Sequence, residues 1–286
     1  MYVVYTIKKR DGKTEILIRF GGLMIQKKPQ EILEITIASA VKKTELSMKQ
    51  MILLGLMAGI FIAMAGAGAN MGSYFLFANP ATNGLGKMLS GVIFPAGLMM
   101  VVFAGAELFT GNNLMFAAVL DRKITLGAMM KNWVVVYIAN LLGSILVAWL
   151  VVYSGLLENG EGMLKEVTVS IAAAKVNLDF GPAFVRAIFC NILVCIAVWM
   201  GSGADSTVGK VFTLFFPIWL FVTAGFEHSV ANMFFIPAGI FADGGVTAGL
   251  DFQGFFINNL IPVTLGNIVG GSVFTAGIYY FAYKEK

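Results

Sequence analysis

Charge is scarce in this chain. Only 13% of its 286 residues are Asp, Glu, Lys or Arg, about half the 25% typical of soluble domains. With 58% hydrophobic residues and a mean hydropathy of +0.82, that excludes a water-soluble globule and predicts a polytopic membrane protein. Histidine occurs once, at His228, and one imidazole with no second ligand set cannot hold a metal. The two cysteines, Cys190 and Cys195, sit five apart in one apolar span. That spacing puts them on different helix faces and matches no metal motif, so they read as inert core thiols. An enzyme would need a nucleophile or a metal beside its acids, and the apolar spans offer neither. No catalytic activity and no cofactor are expected.

Glycine, by contrast, is plentiful. The 33 glycines suit helices whose backbones approach closely in lipid. Six apolar spans stand out, at 50–69, 88–120, 132–152, 185–201, 211–241 and 260–282. About twenty residues cross a bilayer as a helix, so the second and fifth are too long for one straight helix and are expected to be broken. Lys27, Lys28, Lys42, Lys43 and Lys49 precede the first span. Arg122, Lys123 and Lys131 lie between the second and third, Lys210 follows the fourth, and Lys284 and Lys286 end the chain. The loop between the third and fourth mixes Glu158, Glu161, Glu166 and Asp179 with Lys165 and Lys175. By the positive-inside rule both termini are cytoplasmic, in a protein of the cell (inner) membrane that crosses it several times.

The chain divides into an N-terminal appendage (1–23), a cytoplasmic amphipathic segment (24–49), a six-span channel domain (50–282) and a cytoplasmic tail (283–286). Residues 1–20 alternate around Asp11-Gly12-Lys13 as a hairpin does, and they are too polar for a signal peptide. Gly21-Gly22 separate them from Met24, an alternative start. The stretch reads as an appendage or as an artefact of the assigned start.

Both long spans carry the same interruption. Gly105-Ala106-Glu107 followed by Asn112, and Gly225-Phe226-Glu227 followed by Asn232, repeat a Gly-x-Glu-x4-Asn pattern at an offset of 120. Asn140-Leu141-Leu142-Gly143-Ser144 in the third span likewise matches Asn267-Ile268-Val269-Gly270-Gly271-Ser272 in the sixth. Units of three spans are odd, so the second copy enters the membrane upside down. The fold expected is all-α, an inverted 3+3 repeat whose two breaks face each other near the midplane.

Glu107 and Glu227 are each the only acid in their apolar run. Acid–base chemistry needs carboxylates in differing environments. Two symmetric copies suit a structural role better, with the carboxylates closing orphan N–H groups of the broken helices and Asn112 and Asn232 in the same supporting role. His228 reads in two ways: a pore group whose charge changes near neutral pH, or a neutral imidazole tying the broken backbone together. Each half-helix start is an anion attractor, and the Thr110 hydroxyl with the amides of Gly111, Asn112 and Asn113 sits where such a site would form. Phe94, Leu98, Leu108, Phe109, Val194 and Phe221 flank the breaks as plain core or, by that placement, as hydrophobic constrictions. Lys175 is a solvated lysine, or a vestibule cation that concentrates anions. Asn79-Pro80-Ala81 resembles the aquaporin signature but occurs once, so it reads as a turn.

Longer stretches resemble the formate/nitrite transporter family: Gly105-Ala-Glu-Leu-Phe-Thr110, Lys131-Asn-Trp-Val-Val-Val-Tyr137, Ala197-Val-Trp-Met200, Gly225-Phe-Glu-His-Ser229, Ala231-Asn-Met233 and Asn259-Leu-Ile-Pro-Val-Thr-Leu-Gly-Asn267. The resemblance runs from Lys27 to Tyr280. It implies an aquaporin-like six-span protomer, a homopentamer with one pore per protomer, and passage of small weak-acid anions: formate, nitrite, hydrosulfide. It implies that the family's central histidine is His228, its break threonine Thr110, its outer lysine Lys175 and its pore-side asparagine Asn191, with the slits at Phe94, Leu98, Leu108, Phe109, Val194 and Phe221. The Leu-Phe-Thr-Gly-Asn-Asn continuation at 108–113 and the compact loops lean toward the hydrosulfide branch.

On this reading Lys175 and the half-helix ends draw in the anion. Near His228 it is held by hydrogen bonds, or it takes a proton and crosses the slits as the neutral acid, because an unpaired charge is costly to bury. The expected partners are small anions, the bilayer and further copies of the chain, with no nucleic acid. The competing reading is a neutral-solute pore for water or glycerol, indifferent to Lys175 and to pH.

Overall fold

Short polar signals set the helix starts. The computed structural model describes residues 2–10, 13–21 and 27–284. Helix α1 (Pro29–Thr44) opens on a proline, and the Glu31 carboxylate accepts the Lys28 N–H at 2.9 Å. Ser47 and Gln50 form a reciprocal capping box at the start of α2 (Met48–Phe77). Asn79 accepts the Ala81 N–H at 3.0 Å and starts α3 (Pro80–Ala104), the turn chemistry expected there. After a break comes α4 (Phe109–Leu120), and Thr125 caps α5 (Leu126–Tyr153) through the Ala128 N–H at 3.1 Å. Then follow α6 (Met163–Val176), α7 (Phe180–Gly203), α8 (Thr207–Ala224), α9 (Ser229–Asp243) and α10 (Gly254–Tyr283). Ahead of them, β1 (Tyr2–Arg10) and β2 (Lys13–Gly21) pair antiparallel with Arg10 opposite Lys13. Asp11, Gly12, Gly22 and Met24 lie outside the described residues.

Among the described residues six helices are long and apolar enough to cross a membrane: α2, α3, α5, α7, α8 and α10. The chain is a multi-pass membrane protein. The two long spans resolve into α3 with α4 and α8 with α9, each broken where expected. Other boundaries move outward. The first apolar run stops at Asn70, yet α2 winds on through Gly72 and Ser73 to Phe77.

Helix α5 shows how the faces are used. Its buried stripe is Asn132, Val136, Ala139, Asn140, Gly143 and Ser144, while Val134, Ile138, Leu142 and Leu146 are exposed. Small and polar groups face other helices and large apolar ones face outward, as lipid requires. The approach of α5 to α2 is close: a Cβ on Gly59 would fall on the carbonyl of Asn140, and one on Gly143 on the carbonyl of Leu56. In the second half, Gly266 and Gly270 of α10 meet the carbonyls of Phe184 and Ile188 of α7 in the same way.

These approaches close the breaks. Helix α3 stops at Gly105 with φ 81° and α8 at Gly225 with φ 73°, left-handed conformations that glycine adopts without strain. Asn140 then accepts the Phe109 N–H at 2.9 Å and donates to the Glu107 carbonyl at 2.9 Å and the Gly55 carbonyl at 2.7 Å. Asn267 accepts the Ser229 N–H at 2.8 Å and donates to the Glu227 carbonyl at 3.0 Å and the Ala187 carbonyl at 2.9 Å. Here the structure corrects the sequence expectation that the Glu107 and Glu227 carboxylates close the orphan N–H groups. A break frees carbonyls as well as N–H groups, a carboxylate only accepts, and a carboxamide both accepts and donates.

The duplicated set of bonds supports the inverted repeat. Gly59→Ala is expected to lower stability by about 1–3 kcal/mol through overpacking, read as a lower melting temperature in detergent. Gly84→Ala, with nothing within 4 Å of the new Cβ, should stay within about 0.5 kcal/mol of the parent. Equal melting of both variants would show that the α2–α5 contact tolerates separation.

Candidate functional site

The two breaks meet. Thr110, at the start of α4, and His228, the N-cap of α9, lie with Thr110 Oγ1 2.8 Å from His228 Nε2. Both side chains are buried. The other ring nitrogen fixes the proton: Nδ1 accepts the Ala231 N–H at 3.0 Å, so in the neutral ring Nε2 carries the hydrogen and donates to Thr110. The Thr110 hydroxyl is then free to donate in turn. Since the starts of α4 and α9 converge here, their positive ends point at one place.

A cavity opens on each side of this joint. One, on the face that carries α1 and the C-terminal residues, has a volume of about 370 Å³ and is lined by Lys43, Leu98, Glu107, Leu108 and Asn112 among others. The other, on the far face beside α6, measures about 190 Å³ and is lined by Phe94, Lys175, Phe221, Glu227, His228 and Asn232 among others. The Phe94 and Phe221 rings meet edge to face at 5.8 Å, and Phe221 stacks on His228 at 5.8 Å. Thus Phe94 and Phe221 bound the far cavity, and Leu98 and Leu108 bound the terminal one. Phe109 lines neither; its ring packs edge-on against Tyr137 at 4.8 Å and Trp133 at 6.1 Å. Val194 is buried in the core.

Each cavity holds one ion pair of the same design. Lys175 Nζ donates to Glu227 at 2.9 and 3.1 Å, and Asn232 donates to the same carboxylate at 2.6 Å and to Asn259 at 2.8 Å. Opposite it, Lys43 donates to Glu107 at 2.6 Å, with Asn112 donating to that carboxylate at 2.7 Å and to Asn132 at 2.8 Å. Lys175 is therefore an ion-paired side chain, 17% exposed, rather than a solvated one. Asn191 stands behind the joint. Its amide donates to the carbonyl of Asn267 and to Asn113 Oδ1, both at 2.7 Å, and to the Thr110 carbonyl at 3.3 Å. Cys190 and Cys195 are buried and form no disulfide, and Cys195 Sγ donates to the Thr110 carbonyl at 3.4 Å.

Sequence reasoning passed over Lys43, reading it as one of several basic residues before the first span. Its distinguishing mark is that α1 buries Ile32, Leu33, Ile37 and Ala40 and so lies against the bundle. Lys284 helps hold it there, bridging Glu34 at 3.1 Å and Asp121 at 3.0 Å. Asp121 first, then Glu34, holds the Lys284 ammonium above the ordinary lysine range. Lys27 pairs with Asp205.

The formate/nitrite transporter family profile matches residues 30–281. A probable formate transporter of Methanothermobacter thermautotrophicus is 43% identical over 276 residues, covering 91% of this chain and 98% of that protein. The formate channel BtFdhC of Bacillus thuringiensis is 38% identical over 261 residues, covering 91% and 96%. Among solved structures, a pentameric formate channel with formate bound superposes with a TM-score of 0.74 at 36% identity, covering 82% of this chain and 97% of that one. Those relatives are channels and transporters rather than enzymes, and this chain belongs to the formate/nitrite transporter family.

Proposed function

We propose that the protein is a homopentameric channel for formate, each protomer with its own pore and both termini in the cytoplasm of a cell whose inner membrane it spans. The observation that carries this is the Thr110–His228 contact, set between two cavities that each hold a Lys–Glu pair. The relatives' names support formate first. Nitrite shares its charge and size, and hydrosulfide is the anion toward which residues 108–113 lean. Residues 1–23 form an appendage to this channel and lie outside the segment that matches the family.

An anion entering from the far face meets Phe94 and Phe221, where a bare charge is costly. Apolar surroundings raise the proton affinity of a carboxylate, which favours crossing as the neutral acid, the proton taken from water on the entry side and returned to water on the exit side. At the joint the Thr110 hydroxyl donates to the passing solute, and His228, donating to Thr110, strengthens that hydroxyl as a donor. Protonating the ring would displace the Ala231 N–H from Nδ1. Of the two routes open at the sequence level, the geometry therefore favours His228 as a fixed hydrogen-bond donor over His228 as a proton carrier.

Flux into proteoliposomes tests the class, with formate, nitrite, hydrosulfide, chloride and glycerol compared between about pH 5 and 8. Weak-acid anions are expected to outrun chloride and glycerol, with formate leading. Glycerol flux without anion selectivity would overturn the reading. Thr110→Val should lower formate flux about threefold to tenfold, the worth of one hydrogen bond to a neutral solute, while Thr110→Ser keeps most of it. His228→Asn should reduce flux without moving the pH at which it is half-maximal; a moved midpoint would make His228 the proton carrier instead.

A further inference from the structure

The far cavity is lined by more polar groups than its ion pair engages. Asn70 of α2 and Ser90 of α3 both face it, as does Lys87. Asn70 is 4% exposed and Ser90 7%, yet neither side chain hydrogen-bonds to any described residue. Every other buried asparagine does, whether in the breaks or behind the joint. Buried carboxamides left without partners are rare because the desolvation cost is not recovered. The Ser90 hydroxyl is likewise unengaged, as are those of Thr223 and Ser229 elsewhere. Ser73, Thr168 and Ser202 return their hydroxyls to the carbonyl four residues back, and Ser90 does not.

Lys87, Ser90 and Phe94 stand at i, i+3 and i+7 of one helix, a single stripe covering about 10 Å at 1.5 Å per residue. The stripe runs from the exposed Lys87 to the buried slit at Phe94, all three lining the same cavity. Lys87 forms no ion pair with a described residue, whereas Lys175 is held by Glu227. The uncompensated positive charge of this cavity is therefore Lys87. Among the described residues the terminal cavity has no counterpart, since its lining lysine, Lys43, is paired with Glu107.

We propose that Asn70, Ser90 and Lys87 form a docking subsite for a small monovalent oxyanion of a weak acid, ahead of the Phe94–Phe221 slit, and that this subsite favours formate over hydrosulfide. The proposal rests on the anion-channel reading above. A carboxylate offers two oxygens with several lone pairs, which an amide N–H and a hydroxyl can serve together. Hydrosulfide offers one sulfur, a weak acceptor. Lys87 supplies the long-range attraction that raises the local anion concentration.

The test is initial uptake from the far face into oriented vesicles, over a concentration series of formate and of hydrosulfide. Asn70→Ala and Ser90→Ala should each raise the half-saturating formate concentration about threefold to tenfold, with maximal rate and hydrosulfide uptake unchanged. Ser90→Thr should restore the parent value. Lys87→Gln should slow formate uptake at about 10 mM salt and not at about 0.5 M, where the charge is screened, and Lys87→Arg should behave as the parent. Unchanged half-saturation, or equal shifts for formate and hydrosulfide, would overturn the subsite and leave Asn70 and Ser90 as hydrated or packing groups. Parent protein that carries no formate would sink the channel reading instead. The subsite would then be judged by calorimetric formate binding to the purified protein, sustained by loss in an Asn70→Ala, Ser90→Ala double variant and overturned by equal binding.

Discussion

Everything in this molecule depends on closing two backbone breaks where the bilayer offers no hydrogen-bond partner. An unsatisfied amide in hydrocarbon costs several kcal/mol, so each break must be completed from within. One carboxamide does most of that in each half, Asn140 in the first and Asn267 in the second. To reach a break from the neighbouring helix, its backbone must lie almost against the next one. That requirement explains why Gly59, Gly143, Gly266 and Gly270 leave no room for a Cβ. Packing, breaks and joint are thus one constraint seen at three scales.

Electrostatics adds a second layer to the same frame. A buried ion pair recovers its desolvation only when further hydrogen bonds satisfy its remaining atoms, and each glutamate here takes a lysine on one side and an asparagine on the other. The cavities are therefore polar near their ion pairs and apolar at Phe94, Phe221, Leu98 and Leu108. The repeat is broken where the two breaks meet. At an offset of 120, Leu108 corresponds to His228 and Val230 to Thr110, so the two halves contribute different groups to one contact.

Much of the scaffold was legible in the chain itself. Scarce charge and long apolar runs demand a bilayer, because no soluble core could hide them. A Gly-x-Glu-x4-Asn pattern occurring twice demands two equivalent breaks, since glycine takes the left-handed turn and the acid needs a polar site. His228 and Thr110 stood out as polar groups in apolar surroundings. Placement beside the breaks also singled out the expected constriction positions, though it could not separate Phe94 and Leu98, which line cavities, from Phe109, whose ring turns to Tyr137 and Trp133.

Partnership was decided only in three dimensions. Whether Glu227 meets a backbone N–H or a lysine 52 residues away, whether Lys43 belongs to a basic loop or lines a cavity, and whether His228 meets Thr110 all depend on contacts between distant segments. The same holds for Asn70 and Ser90, which look like ordinary polar residues of two helices until the fold turns them into one cavity without partners. Sequence determined what must be buried and where the chain must break, because those follow from hydropathy and backbone stereochemistry, which act locally. Tertiary structure determined which group answers which, because a hydrogen bond is settled within about 3 Å and no linear pattern specifies that distance.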